Sequence, residues 1–286
     1  MPLDTSLRLR PELGFEPLFY RQFFDQPFQI SMRLIPPFSG YDREEIAVNV
    51  SIAGQERALQ VEIPPLQQTF EMRFGQSRHI TQLDWIRFYS YTSSDHWLYN
   101  TGYPHGTKIV NPPHGYNLLY IARHNAKVYE FLKETLSALN WKLRFDQSQK
   151  TFRLSEVRED EIHDYNLDLL SDSLKRLFFY GAIILTSENA TLVFDEPDVF
   201  AFPPYPKTLG EMIGGDESNQ FFLTTHNPYF LAGIIEKTAT DNLALFVCFR
   251  DQDGSTAAKL LAPEEVSHVV EQGANVFFNL DEFLKS

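Results

Sequence analysis

The sequence has a single cysteine, Cys248, so no disulfide can close within the chain, and nothing in it points to an oxidising compartment. Lying in the apolar run LALFVCF, this cysteine is expected to be a small buried core residue. Long hydrophobic runs are missing too. The longest, residues 177–185, is nine residues, about half of what a membrane-spanning helix needs. Asp4, Arg8, Arg10 and Glu12 stand where the apolar part of a secretory signal would lie. A soluble cytoplasmic protein with no membrane partner is therefore expected. Glycine and proline, 14 and 17 of 286 residues, are too few for a collagen-like or low-complexity chain. Positive charge is also scarce, with 25 Lys and Arg against 38 Asp and Glu and a formal net charge of −13 at pH 7. That balance excludes a surface that attracts nucleic acid all over, because phosphate binding rests on cationic side chains displacing counterions; a local basic groove remains compatible with it.

What is present is an ordinary globular share of hydrophobic residues, 43%, arranged in two patterns. Over residues 27–90 apolar and polar residues alternate in PFQISMRL, IAVNVSI, ALQVEI, QTFEMRF and LDWIRFYS, with a turn at AGQE. This period of two predicts a largely antiparallel sheet. Residues 91–113 are rich in Ser, Asp, Asn, Gly and Pro without a period, and read as a long surface loop. Over 117–139, Leu118, Ile121, Val128, Phe131, Leu132, Leu136 and Leu139 recur mostly at helical steps and predict one helix of about six turns. WKLRF and FRLSEV then read as a hairpin turning at DQSQ.

After Asp168 the pattern changes to continuous apolar strands alternating with helices. The predicted order is a helix opened by Ser171, a buried strand at 192–194, a helix over 207–213, a second buried strand FFLTT leading to His226, a helix from Pro228, and a third buried strand LALFVCF. An edge strand and a helix opened by Pro263 and closed by Gly273 complete it. The fold class expected is α/β with an α+β N-terminal part, divided near residue 160 into 1–160 and 161–286.

Three segments can carry chemistry. TLVFDEPD puts Asp195 and Glu196 at the C-terminal end of a buried strand, where open α/β sheets bind ligands. Asp195 can hold Mg²⁺ and Glu196 can orient and deprotonate a water, although such a pair is also the common solvated end of a strand. FFLTTHNP ends a second strand 31 residues later with His226, which can donate to a phosphate oxygen or serve as an ordinary structural histidine. LLSDSLKRL starts a helix whose N-terminus, with Ser171, Asp172 and Ser173, can bind an anion or be plainly capped.

The order LSDS, LVFDEPD and TTHNP resembles the SMC/RecF-like ABC ATPases, and within them the ATP-binding proteins related to the ATPase part of OLD nucleases. In that resemblance, which runs from about Pro113 to Ser286, LSDS looks like the ABC signature, LVFDE like Walker B and TTHNP like the switch-histidine loop; PHGYNLLYIA is a further similar segment. It implies an ABC-like P-loop fold with an antiparallel β lobe, and a head-to-tail homodimer binding ATP and Mg²⁺. Asp195 would then serve the metal, Glu196 would be the base, His226 would contact the γ-phosphate, and Ser171, Asp172 and Ser173 would contact the nucleotide in trans. An effector protein or a nucleic acid is the further partner implied, in DNA transactions or phage defence.

The sequence departs from the family pattern at Ser173, where glycine is usual, and at Phe202-Pro203, where a His-Pro pair is common. No G-x-x-x-x-G-K-[ST] occurs in the 286 residues. The expectation is that a preceding segment or another polypeptide carries the phosphate loop; the alternative is an interaction module that keeps the fold without nucleotide turnover.

Overall fold

The computed structural model describes residues 28–34, 46–53, 58–63, 68–73, 86–93, 106–159, 161–199, 201–250, 254, 256–272, 276–277, 279 and 283–284. Asp4, Arg8, Arg10 and Glu12, most of the AGQE turn, the middle of the loop expected over 91–113, and Gly273 lie outside them. Contacts gather residues 1–84 and 246–259 into one compact unit and 85–245 and 260–286 into another. This cut is not the change of pattern near residue 160, because residues on both sides of that change share the second unit's core.

In the first unit, β1 (Phe28–Leu34), β2 (Ile46–Ala53), β3 (Ala58–Ile63) and β4 (Gln68–Arg73) form an antiparallel sheet in chain order. Its registers include Phe28↔Ile52, Val50↔Val61 and Val61↔Phe70, as the period-two pattern predicts. LDWIRFYS, read as a member of that sheet, belongs elsewhere. Its strand β5 (Ile86–Tyr89) lies in the second unit and pairs in parallel with a strand more than a hundred residues away.

The second unit continues with α1 (Leu118–His124) and α2 (Ala126–Ser137) in place of the single helix expected. Asn125 makes the break: its backbone is extended and its side-chain oxygen accepts the N–H groups of Lys127 and Val128, starting a new helix. The hairpin follows as read, with β6 (Lys142–Asp146) and β7 (Thr151–Arg158) joined by a turn in which Asp146 accepts from the backbones of Ser148 and Gln149. A third strand, β8 (Glu161–Asn166), extends this sheet. Then come α3 (Asp172–Thr186), β9 (Thr191–Asp195), α4 (Pro204–Gly214), β10 (Gln220–Thr224) and α5 (Pro228–Lys237).

The parallel sheet has the order β10-β9-β5, and β9 in its centre is the most deeply covered strand. Tyr89, Phe179, Tyr180 and Phe194 meet mostly edge to face beneath it, and all four are essentially fully buried. On β10 the expected full burial fails: Phe222 is half exposed and the burial along the strand is only partial. Helices α4 and α5 cross at glycines. A Cβ on Gly210 would lie 2.3 Å from the carbonyl oxygen of Phe230, and one on Gly233 would lie 2.5 Å from that of Lys207, so this close approach requires both residues.

The run LALFVCF also departs from expectation. It forms β11 (Phe246–Arg250), paired with β12 (Thr256–Leu260), and is not part of the parallel sheet. Exposure along it alternates, so Cys248 faces solvent where a core position was expected. An apolar run alone does not tell a doubly covered strand from one covered on a single side. Helix α6 (Pro263–Gln272) follows. Among the described residues no helix is long and apolar enough to cross a membrane.

Candidate functional site

Parallel pairing brings the C-terminal ends of β9 and β10 to one edge, with Thr224 opposite Asp195. The Thr224 hydroxyl joins them. It donates to Asp195 Oδ1 at 2.7 Å and accepts the backbone N–H of Glu196 at 3.0 Å. Glu196 has φ +42°, the left-handed region that a side chain normally avoids, and the bond from its N–H helps to hold it there. Strain of this kind, commonly about 1–3 kcal/mol, persists where surrounding contacts over-determine the backbone, often at functional positions. The turn ends the pleat of β9 at Asp195.

His226 reaches this edge from the β10 side, with Nε2 3.3 Å from Glu196 Oε1. Its side chain is 77% exposed and that of Glu196 36%. A contact so open to water is worth at most about 1 kcal/mol, so the fold does not depend on it. His226 also meets the ring of Phe277 edge on, at 6.4 Å between centroids.

Beneath the pair lies Asp198, 4% exposed. Its Oδ2 accepts from the Thr225 hydroxyl at 3.0 Å, while Oδ1 is buried with no hydrogen-bond partner. Burial pushes its pKa up to about 6; its own backbone N–H, the Thr225 bond and His226 oppose this, and neighbouring Glu196 adds to it. The Thr225 hydroxyl also accepts the N–H of Asn227, whose side-chain oxygen caps α5 at Tyr229 and Phe230.

The third predicted segment opens α3, in the same unit. Ser171 is its N-cap, accepting from the Leu174 N–H at 3.4 Å, the long end of hydrogen-bonding range. The Asp172 carboxylate accepts from the Tyr91 hydroxyl at 2.7 Å and from Arg176 Nε at 2.9 Å, and the Arg176 guanidinium lies 4.5 Å from the centre of the Tyr91 ring. Burial raises the Asp172 pKa, but the bonds from Arg176 and Tyr91 outweigh it and hold the carboxyl below its usual value. Ser173 is buried, and its hydroxyl accepts the backbone N–H of Phe202 at 2.9 Å. The two positions that depart from the resembled pattern are thus bonded to each other. Because the Ser173 side chain is turned into the fold, it does not cover the helix end. Phe202 itself is 62% exposed.

No protein-family model matches the chain, and no curated protein is similar to it at a significant level. Among solved structures, the chain is similar to an SMC head bound to the C-winged helix domain of ScpA, with 11% identity and a TM-score of 0.51 over 90% of this chain and 84% of that one. The fold is that of an SMC head. A second similar structure comes from work on ATP-driven dimerization and DNA-stimulated activation of SMC ATPases; it is 16% identical, with a TM-score of 0.36 over 54% of this chain and 96% of that one. The mixed architecture of a parallel sheet with separate antiparallel sheets accords with the SMC-head fold.

Among the described residues no three His, Cys, Asp or Glu side chains are grouped to hold a metal ion. The oxygen donors of the strand end fit Mg²⁺ as that ion is usually bound, by one or two carboxylates with phosphates and waters completing the shell. Asp195, half-buried at the last position of β9, is the residue that would hold it.

Sequence reasoning overlooked Thr224, Thr225, Asp198 and Tyr91. The two threonines were in view in FFLTTHNP, where a β-branched residue reads first as a strand former. Asp198 was in DEPD, but nothing in the local sequence signals its burial.

Proposed function

We propose that the chain is the signature, Walker B and switch-histidine portion of an ABC-type ATPase, which binds ATP with Mg²⁺ and works as a nucleotide-dependent dimer switch. The observation that carries this reading is His226 Nε2 at 3.3 Å from Glu196 Oε1, on the sheet edge where Asp195 also ends, in an SMC-head fold. In this reading Glu196, whose backbone N–H bonds to Thr224 at the strand end, accepts the proton of an attacking water. His226, projecting into solvent, is placed to donate to a terminal phosphate oxygen. Mg²⁺, when bound at Asp195, supplies charge neutralisation to the phosphates. The N-terminus of α3, with Ser171, Asp172 and Ser173, offers backbone N–H groups to the nucleotide of a second copy. In this reading phosphate contacts of the Walker A kind are supplied by another segment or polypeptide, as no G-x-x-x-x-G-K-[ST] occurs in the 286 residues. An effector protein or a nucleic acid is the proposed recipient of the switch, in a cytoplasmic setting.

Calorimetry with Mg-ATP on the isolated chain is expected to show at most millimolar binding, a standard free energy of only about −4 kcal/mol, and no turnover. Supplying a phosphate-loop segment is expected to bring micromolar binding and ATP-dependent dimerisation, read by sedimentation. Micromolar binding by the isolated chain would overturn the assignment of the missing phosphate contacts. Dimerisation indifferent to ATP would favour the non-catalytic interaction module.

A further inference from the structure

His226 stands out for how little holds its own side chain and how much holds its neighbours. Its side chain is mostly in water, touching Glu196 and the edge of Phe277. Thr224 before it is tied to Asp195 and Glu196, and Asn227 after it is the cap of α5. Thr225 makes the remaining pair of bonds, donating to the buried Asp198 and accepting from the Asn227 N–H. Helix α5 cannot drift to relieve this loop, because Gly210 and Gly233 lock it against α4 at backbone contact.

An exposed imidazole on a free loop would lose several rotatable bonds on meeting a ligand. One on a bonded loop loses only its own side-chain freedom. The carboxylate beneath Thr225 is also costly to bury, since one of its oxygens has no partner. A group of that kind, kept under the loop in place of an apolar residue, needs a reason beyond stability.

We propose that Asp198 and Thr225 are positioning residues that form a latch across the ends of β9 and β10 and fix the backbone of residues 225–227, so that His226 is presented to Glu196. This rests on reading His226 as the phosphate contact, and its test does not use turnover. Asp198 acts only through Thr225; it need not touch nucleotide. A hydroxyl at 225 and an acceptor at 198 are the two requirements. Thr225→Ser and Asp198→Asn therefore keep the latch, whereas Thr225→Val and Asp198→Leu break it with little change in volume.

The full chain is labelled with ¹⁵N and two signals are read. The first is the exchange rate of the Asn227 amide, which is expected to rise at least tenfold in Thr225→Val and to return to within about twofold of the original in Thr225→Ser. The second is the change in the His226 ring resonances caused by Glu196→Gln. In the original background the pair is in contact, and in Thr225→Val or Asp198→Leu this change is expected to shrink at least threefold. A purely structural role would lower the melting temperature without altering that coupling. Equal coupling in all backgrounds, or failure of Thr225→Ser to restore it, overturns the proposal. Should Thr225→Val fail to fold, the Asp198→Asn and Asp198→Leu pair decides by the same coupling. If the coupling behaves as expected and the phosphate-loop experiment shows no ATP binding, the latch stands and the ATPase reading falls.

Discussion

The N-terminus of α3 and the joined ends of β9 and β10 are both rich in polar side chains, and they use them in opposite ways. At α3 the side chains bond back to the fold: Asp172 is held by Tyr91 and Arg176, Ser173 by the backbone of Phe202, and Ser171 by the helix it caps. What the helix end can offer a ligand is backbone. At the strand ends the inward bonds belong to Thr224, Thr225, Asn227 and Asp198, while the half-buried Glu196 meets His226, whose side chain projects into solvent. Side chains that complete the fold at α3 have counterparts at the strand ends that support a second, outward layer.

Changing each layer in turn tests this contrast. The largest effect is expected from Glu196→Gln. With the phosphate loop supplied, turnover should fall by about 10²–10⁴-fold while ATP binding persists and the dimer lives longer, as single-turnover assays and sedimentation would register. Unchanged turnover would remove Glu196 from the outward layer.

Asp172→Ala should act on the fold instead. It leaves the largely buried Arg176 and the Tyr91 hydroxyl without their acceptor and is expected to lower stability by about 2–3 kcal/mol in urea denaturation. Because the folded-state pKa of Asp172 is depressed, its stabilising contribution is present above the ordinary Asp value near pH 4. It is lost as pH falls through the lower folded value.

Asp198 has the opposite sign. Its pKa is raised to about 6, so the folded state takes up a proton that the unfolded chain releases near pH 4, and stability declines as pH rises from about 4 to about 6. Asp198→Asn keeps an acceptor for Thr225 and removes the buried charge. It is expected to stabilise the protein at pH 7 by about 1–2 kcal/mol, with the gain disappearing by pH 4. A gain that does not depend on pH would mean that the carboxylate's charge is not what makes it costly.

The smallest effect belongs to Ser171→Ala, which removes a cap bond already at 3.4 Å and should cost about 0.5–1 kcal/mol. A larger loss, or a loss of nucleotide-dependent dimerisation with little change in stability, would show that this hydroxyl works outward as well.

Local pattern was enough to place most elements. Alternation over residues 28–73 marked an antiparallel sheet, the Ser171 cap opened α3 where it was expected, and the apolar run at 192–194 was a covered central strand. The same grammar carried Asp195, Glu196 and His226 to one sheet edge, because parallel neighbours deliver their C-terminal ends together. Each of these inferences depends on residues within a few positions of one another.

Non-local pairing was not written there. LDWIRFYS alternates and LALFVCF is continuously apolar, yet the first supplies the third parallel strand and the second pairs with β12 and leaves Cys248 in solvent. Their places depend on which partner surfaces were left uncovered elsewhere in the chain. Asp198 shows this most plainly. Three residues beyond Asp195 and just as acidic in the sequence, it becomes a buried carboxylate whose pKa is raised by loss of contact with water, even though the Thr225 hydroxyl, 27 residues later, donates to it and opposes the rise. Burial and the dielectric around a charge are set by atoms from distant segments, so a carboxylate's environment is decided when those segments pack.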